Sequence, residues 1–128
     1  LFFIFVSSIT LSSNETDYLS NQTFLDSKTA EKKWGSKVFS PEEFKKGSVK
    51  LRAQMAASLL NGKLFQGKKA SEIKTALGPF TGHFWSSSVP AYLIEEGWTL
   101  NSDSWQLVFL LDNSGKVKEI RIHKNCCK

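Results

Sequence analysis

From Trp105 to Lys124 the chain spells a β-hairpin, and no other stretch constrains the fold as tightly. Trp105, Leu107, Phe109 and Leu111 alternate with Gln106, Val108 and Leu110. That is the period of a strand, and it turns one wholly apolar face inward. Asp112-Asn113-Ser114-Gly115 supplies the turn. On the returning stretch, Lys116 to Lys124, Ile120 and Ile122 are expected inside while Glu119, Arg121 and His123 point the other way.

Upstream, the pattern changes from strand to helix. Ser40 is placed to cap a helix, with Pro41 in its first position, Glu43 reaching back to the cap and Phe39 and Phe44 forming a staple. Gly47-Ser48 interrupts this helix, and Ser48 restarts it. Leu51, Met55 and Leu59 then recur at four-residue spacing beside Ala56 and Leu60 until Asn61-Gly62 ends it. A second helix is expected from Ala70 to Leu77, with Ile73, Ala76 and Leu77 on one face and Gly78-Pro79 as its stop. Strands are expected at Phe80 to Ser86 and at Ala91 to Trp98, with Pro90 at a turn and Gly97 at a bulge. The fold class is therefore α+β, two helices packed on an antiparallel meander of three to four strands, in one domain over residues 39–125.

Ahead of that domain, residues 1–13 open Leu1-Phe2-Phe3-Ile4-Phe5-Val6 and read as the tail of a truncated export signal, with Thr10 and Ser12 as small residues before a cleavage point. This apolar run is shorter than the roughly 20 residues that cross a bilayer. Residues 14–38 read as a polar linker carrying two glycosylation sequons, Asn14-Glu15-Thr16 and Asn21-Gln22-Thr23. The two cysteines, Cys126 and Cys127, are adjacent, so they build no long-range disulfide framework.

Gly67-Lys68-Lys69-Ala70-Ser71-Glu72-Ile73-Lys74-Thr75-Ala76-Leu77-Gly78-Pro79 resembles the helix motif of the SmpA/OmlA-type (BamE-like) small outer-membrane lipoproteins. The shared pattern is a glycine, five residues, an Ile or Val, three residues, then Leu-Gly and a nearby proline. The turn from Asp112 to Val117 is similar to the one that follows in that family, and the likeness spans roughly Leu51 to Ile122. It implies two helices on an antiparallel meander, as in β-lactamase-inhibitor-type domains, and a place in the cell envelope serving β-barrel assembly. Two departures stand out. Leu11-Ser12-Ser13-Asn14 has serine where an acylated cysteine would stand, and Lys69 replaces a capping Thr, which leaves Glu72 without its partner in the capping box.

The net charge of +5 suits phosphate, anionic headgroups or an acidic protein surface, although a solvated basic face looks the same in sequence. Lys63, Lys68, Lys69 and Arg121 are the candidate polyanion contacts. The aromatic residues of the sheet region exceed what two short helices easily bury, so Trp85, Tyr92 and Trp98 are candidates for an exposed partner-binding groove. His83, His123, Cys126 and Cys127 form a weak metal-ligand set whose spacing matches no finger. Glu95 and Glu96 are neighbours on one strand and face opposite sides, so they make no carboxylate pair. No catalytic motif is present, and no cofactor is expected. The expected function is a non-catalytic exported domain, periplasmic or extracellular, that contacts a protein or envelope component. Polyanion or nucleic-acid binding through the basic face is the alternative, and a small enzyme with scattered residues a further one.

Overall fold

A computed structural model describes residues 18–97 and 103–125. The elements run β1 (Thr23–Leu25), α1 (Ser27–Trp34), α2 (Pro41–Lys46), α3 (Val49–Asn61), α4 (Ala70–Leu77), β2 (Ala91–Glu95), β3 (Ser104–Leu111) and β4 (Val117–Asn125). The strands form one antiparallel sheet in the order β1-β4-β3-β2. The fold is α+β.

The hairpin forms where its sequence pattern puts it. Leu107 pairs with Ile122 and Phe109 with Ile120. The turn is held by the Asp112 carboxylate, whose Oδ1 accepts from Ser114 N at 2.9 Å, Ser114 Oγ at 2.8 Å and Lys116 N at 3.0 Å. These donors hold the Asp112 carboxyl below its ordinary pKa. Opposite Leu110 and Leu111 the register slips by one, and Lys118 is the extra residue. A second slip, between Leu93 and Glu95 on β2, lies upstream of the bulge expected at Gly97.

Helix boundaries follow the caps. Ser40 Oγ accepts from Glu43 N at 3.3 Å and Ser48 Oγ from Leu51 N at 3.2 Å, so the interruption at Gly47-Ser48 makes two helices, α2 and α3. Buried Arg52 ties them together, its Nε donating to Phe44 O at 2.8 Å and its Nη2 to Lys45 O at 3.2 Å. It thereby satisfies carbonyls that the end of α2 leaves without helical partners. α4 matches its expected bounds. Glu72 keeps half of its expected box, because its Oε1 accepts from Lys69 N at 2.8 Å even though Lys69 offers no side-chain acceptor. Gly78 follows with φ +94, a conformation that favours glycine.

Two expectations need correction. The polar segment 14–38 is no linker between Thr23 and Trp34, where it forms β1 and α1. Between Thr23 and Trp34 the apolar residues are each used, while Val38 beyond them is exposed. Leu25 and Trp34 pack on the helix-side core, Ala30 is buried within it, and Phe24 packs on the opposite side of the sheet. Trp34 meets Trp105 edge-on at 5.9 Å and donates from Nε1 to Glu95 Oε1 at 2.8 Å. Asp26 caps α1 by accepting from Thr29 N at 2.8 Å. The helices are thus more than the two expected. The second correction concerns Phe80 to Ser86, which forms no strand beyond an isolated bridge between Phe84 and Ser86. Phe80 and Phe84 are used for burial, while Trp85 stays exposed. The segment folds back beside β2, with Thr81 N and Gly82 N donating to Ala91 O at 3.0 and 2.9 Å, and Phe84 is buried.

This fold-back gives the sheet two covered faces. On the helix side lie Phe44, Met55, Ile73, Leu77, Tyr92, Leu107 and Phe109. On the other lie Phe84, Val89, Ala91, Val108 and Leu110, with Tyr18, Leu19 and Phe24 packed against them. β3 is therefore buried on both faces, where its alternation predicted one. Gly82 shows how close the cover sits, since a Cβ there would run into Gln106 Oε1 and stand 3.3 Å from Ala91 Cβ. Gly82→Ala is expected to destabilise the fold by about 1–3 kcal/mol through overpacking, read as a lower urea midpoint with an unchanged slope.

Candidate functional site

The aromatic candidates separate. Tyr92 is fully buried, ringed edge-on by Phe44 at 5.4 Å, Phe80 at 5.7 Å and Phe109 at 6.0 Å, and it donates from its hydroxyl to Gly78 O at 2.7 Å. It is a core residue and lines no exposed groove. On an antiparallel strand its side chain takes the helix-facing side, and the amphipathic helices close over it. Trp85 is 45% exposed at the apex of a three-residue turn closed by Ser86 N to Phe84 O at 2.6 Å, with φ +67. Its ring lies 5.0 Å from that of Tyr18. Trp98 falls outside the described residues.

The metal candidates also separate. His83 is exposed, and Cys126 and Cys127 fall outside the described residues. His123 is 3% exposed and belongs to a buried amide network. The Gln106 side chain pairs with the His83 backbone at two points: Oε1 accepts from His83 N at 2.9 Å and Nε2 donates to His83 O at 2.8 Å. This fixes which end of the amide is nitrogen. One Nε2 hydrogen goes to His83 O, and the other is shared between His123 Nδ1 at 2.9 Å and Asn125 Oδ1 at 3.1 Å. His123 Nδ1 is therefore an acceptor, and its Nε2 donates to Gln22 Oε1 at 2.7 Å. The ring is neutral, and burial pushes its pKa down to about 4. A ring with both nitrogens engaged in this way has no lone pair left for a metal.

Among the carboxylates, Glu95 is held by Trp34 and by Lys33 at 3.5 Å, while Glu96 is exposed.

Of the basic candidates, Lys63, Lys68 and Lys69 lie on one linker and acquire neighbours that sequence spacing did not show. The linker between α3 and α4 crosses the start of β4: Gly67 N donates to Val117 O and Val117 N to Lys68 O, both at 2.8 Å, and Lys69 bridges Lys116. Lys63 and Lys118 line one cleft beside this crossing. Lys63, Lys68, Lys69, Lys116 and Lys118 are all exposed, and among the described residues none is ion-paired with a carboxylate. Lys116 and Lys118 were missed because in sequence they belong to the hairpin, fifty residues from Lys68. Arg121 stands apart, since Glu119 holds its Nε at 2.8 Å and its guanidinium lies 4.7 Å over the Phe24 ring.

Two clefts flank the crossing. One, of about 300 Å³, has a floor of Leu60, Val117 and Ile120 and a rim of Lys63, Gln66, Lys118 and Glu119, the last of these paired with Arg121. The other, of about 400 Å³, runs from Leu60 and Ile120 to Phe24, Leu25 and Arg121, with Asp26 and Ser27 also on its wall. Leu60 and Ile120 belong to both, so the clefts adjoin. Such an arrangement suits an anionic ligand with some apolar surface. No protein-family model, curated protein or solved structure matches the chain.

Proposed function

We propose that this chain is a non-catalytic binding domain that takes an acidic protein or envelope component on the basic face where the α3–α4 linker crosses β4. The observation that carries the reading is the placing of Lys63, Lys68, Lys69, Lys116 and Lys118, none ion-paired among the described residues, around the linker crossing and an apolar-floored cleft whose one carboxylate, Glu119, is held by Arg121. Like charges gathered at a surface cost stability and raise the local potential for an anion. The apolar start of the chain and the SmpA/OmlA-like motif support an exported domain working in the cell envelope. The sheet face is an unsuitable surface for this role, since both of its sides are covered.

Fluorescence anisotropy with labelled polyglutamate and with a labelled single-stranded DNA oligonucleotide tests the reading. Polyglutamate is expected to bind, to weaken as salt rises, and to lose about tenfold or more in affinity to the Lys63→Glu/Lys118→Glu variant. Both lysines are exposed, so the variant is expected to fold normally. If the variant bound polyglutamate as tightly as the wild type, the basic face would be ruled out. Binding of DNA with a steep salt slope and no binding of polyglutamate would replace this reading with the nucleic-acid alternative.

A further inference from the structure

β4 lies inside the sheet, yet its outer edge is covered only at its two ends. β1 pairs with Ile122, His123 and Lys124, and the α3–α4 linker meets Lys116 and Val117. Between these covers, among the described residues, no segment pairs with Lys118 to Arg121 on that side, whereas β3 pairs along the opposite one. The opening is four residues long, about 13 Å of strand. Both clefts open onto it, through Lys118, Glu119 and Ile120 in one and Ile120 and Arg121 in the other.

We propose that this gap is a docking site for an extended acidic segment of a partner protein, which adds a short strand beside β4 between β1 and the linker. The inference rests on the basic face being the binding surface and adds the mode of binding. A strand edge presents alternating N–H and C=O groups, and a polypeptide backbone complements both, which nucleic acid and lipid headgroups do not. Side chains of an added strand alternate. One set is placed to fill the floor of Leu60, Val117 and Ile120, and acidic neighbours are placed to meet Lys63 and Lys118. The charge is selective as well. Lysine and a bulge at an edge discourage neutral strands and copies of the same chain from pairing there, while an acidic strand neutralises Lys118 instead of being repelled by it.

The test uses the full chain and labelled peptides whose central four residues, the length the gap admits, alternate Glu or Asp with Val, Leu or Phe between Gly-Ser flanks, measured beside polyglutamate. The alternating peptides are expected to bind at least tenfold more tightly than polyglutamate at the same salt. N-methylating every second backbone nitrogen should weaken binding about tenfold in one phase of the alternation and little in the other, because only one edge of the added strand faces β4. Amide exchange should slow within residues 118–121 on binding. If polyglutamate binds and Lys63→Glu/Lys118→Glu abolishes it, but no alternating peptide binds more tightly, the basic face stands and strand addition is overturned. Equal affinity of both methylated forms and the parent overturns it too, as does tighter binding of single-stranded DNA or of anionic lipid vesicles. A dimer that already protects residues 118–121 without peptide would make a second copy the occupant. Failure of every probe removes both readings.

Discussion

Tyr92→Ala is expected to lose about 4 kcal/mol of folding stability, the range for removing a fully buried aromatic ring. Two effects add. The ring fills the space between Phe44, Phe80 and Phe109, which come from α2, the segment after α4 and β3, so its loss leaves a cavity at the meeting of three elements. Its hydroxyl also satisfies the carbonyl of Gly78, the residue that ends α4. Burial raises the phenol's pKa well above the ordinary tyrosine range, with nearby Arg52 pulling weakly the other way, so the group remains a donor across the usable pH range. Tyr92→Phe isolates the second effect and should cost about 1–2 kcal/mol, since it leaves a buried carbonyl without its donor. Urea unfolding of the two variants measures both. A domain of this size is only marginally stable, so Tyr92→Ala should be substantially unfolded at 37 °C. An unchanged midpoint would mean that the ring lies outside the core.

The second large effect is expected from acid. His123 has a folded pKa near 4 against an ordinary 6.5, so the unfolded chain binds a proton that the folded chain refuses. Stability from this group is complete above pH 6.5 and is lost as pH falls from 6.5 towards 4, by about 2 kcal/mol at pH 5 and about 3 kcal/mol in all. The structural cause is specific. A proton on Nδ1 would face the Gln106 amide nitrogen, and turning that amide would break both of its bonds to the His83 backbone. Gln22, just before β1, accepts from the same ring, so acid should loosen β1 first. Chemical unfolding at pH 7, 6 and 5 should show this decline, and His123→Gln should show nearly none over that window. Asp26 and Asp112 do not confuse the measurement, because carboxyls held below their ordinary pKa contribute stability that is present throughout pH 7 to 5 and is lost only as pH falls through the ordinary carboxylate range and below it. A flat wild-type profile between pH 7 and 5 would contradict a buried neutral His123.

The same two residues show what could be read in advance. Tyr92 and His123 were both visible as residues with chemistry to offer, and both turned out to be held inside, one by packing and one by amides. Nothing near Tyr92 in sequence announces Phe44 or Gly78. Nothing near His123 announces Gln22, 101 residues away. The basic face was half legible, since Lys63, Lys68 and Lys69 stand close together in the chain. Its other half, Lys116 and Lys118, arrives through backbone bonds to the linker.

By itself the sequence determined the elements whose causes are local. The β3–β4 hairpin follows from alternation and an Asp-led turn, the starts of α2 and α3 from serine caps, and the bounds of α4 from Glu72 and Gly78, because each depends on groups within a few residues of one another. Only the tertiary structure decided that β1 and α1 belong to the domain, that Phe80 to Ser86 is a cover and not a strand, and that, among the described residues, β4 keeps a stretch of edge without a pairing strand beside several exposed lysines. Those outcomes rest on contacts between segments far apart in the chain. Too few apolar residues lie in residues 14–38 to show a period of their own, and those of β1 and α1 take their places only against the two faces that the hairpin offers.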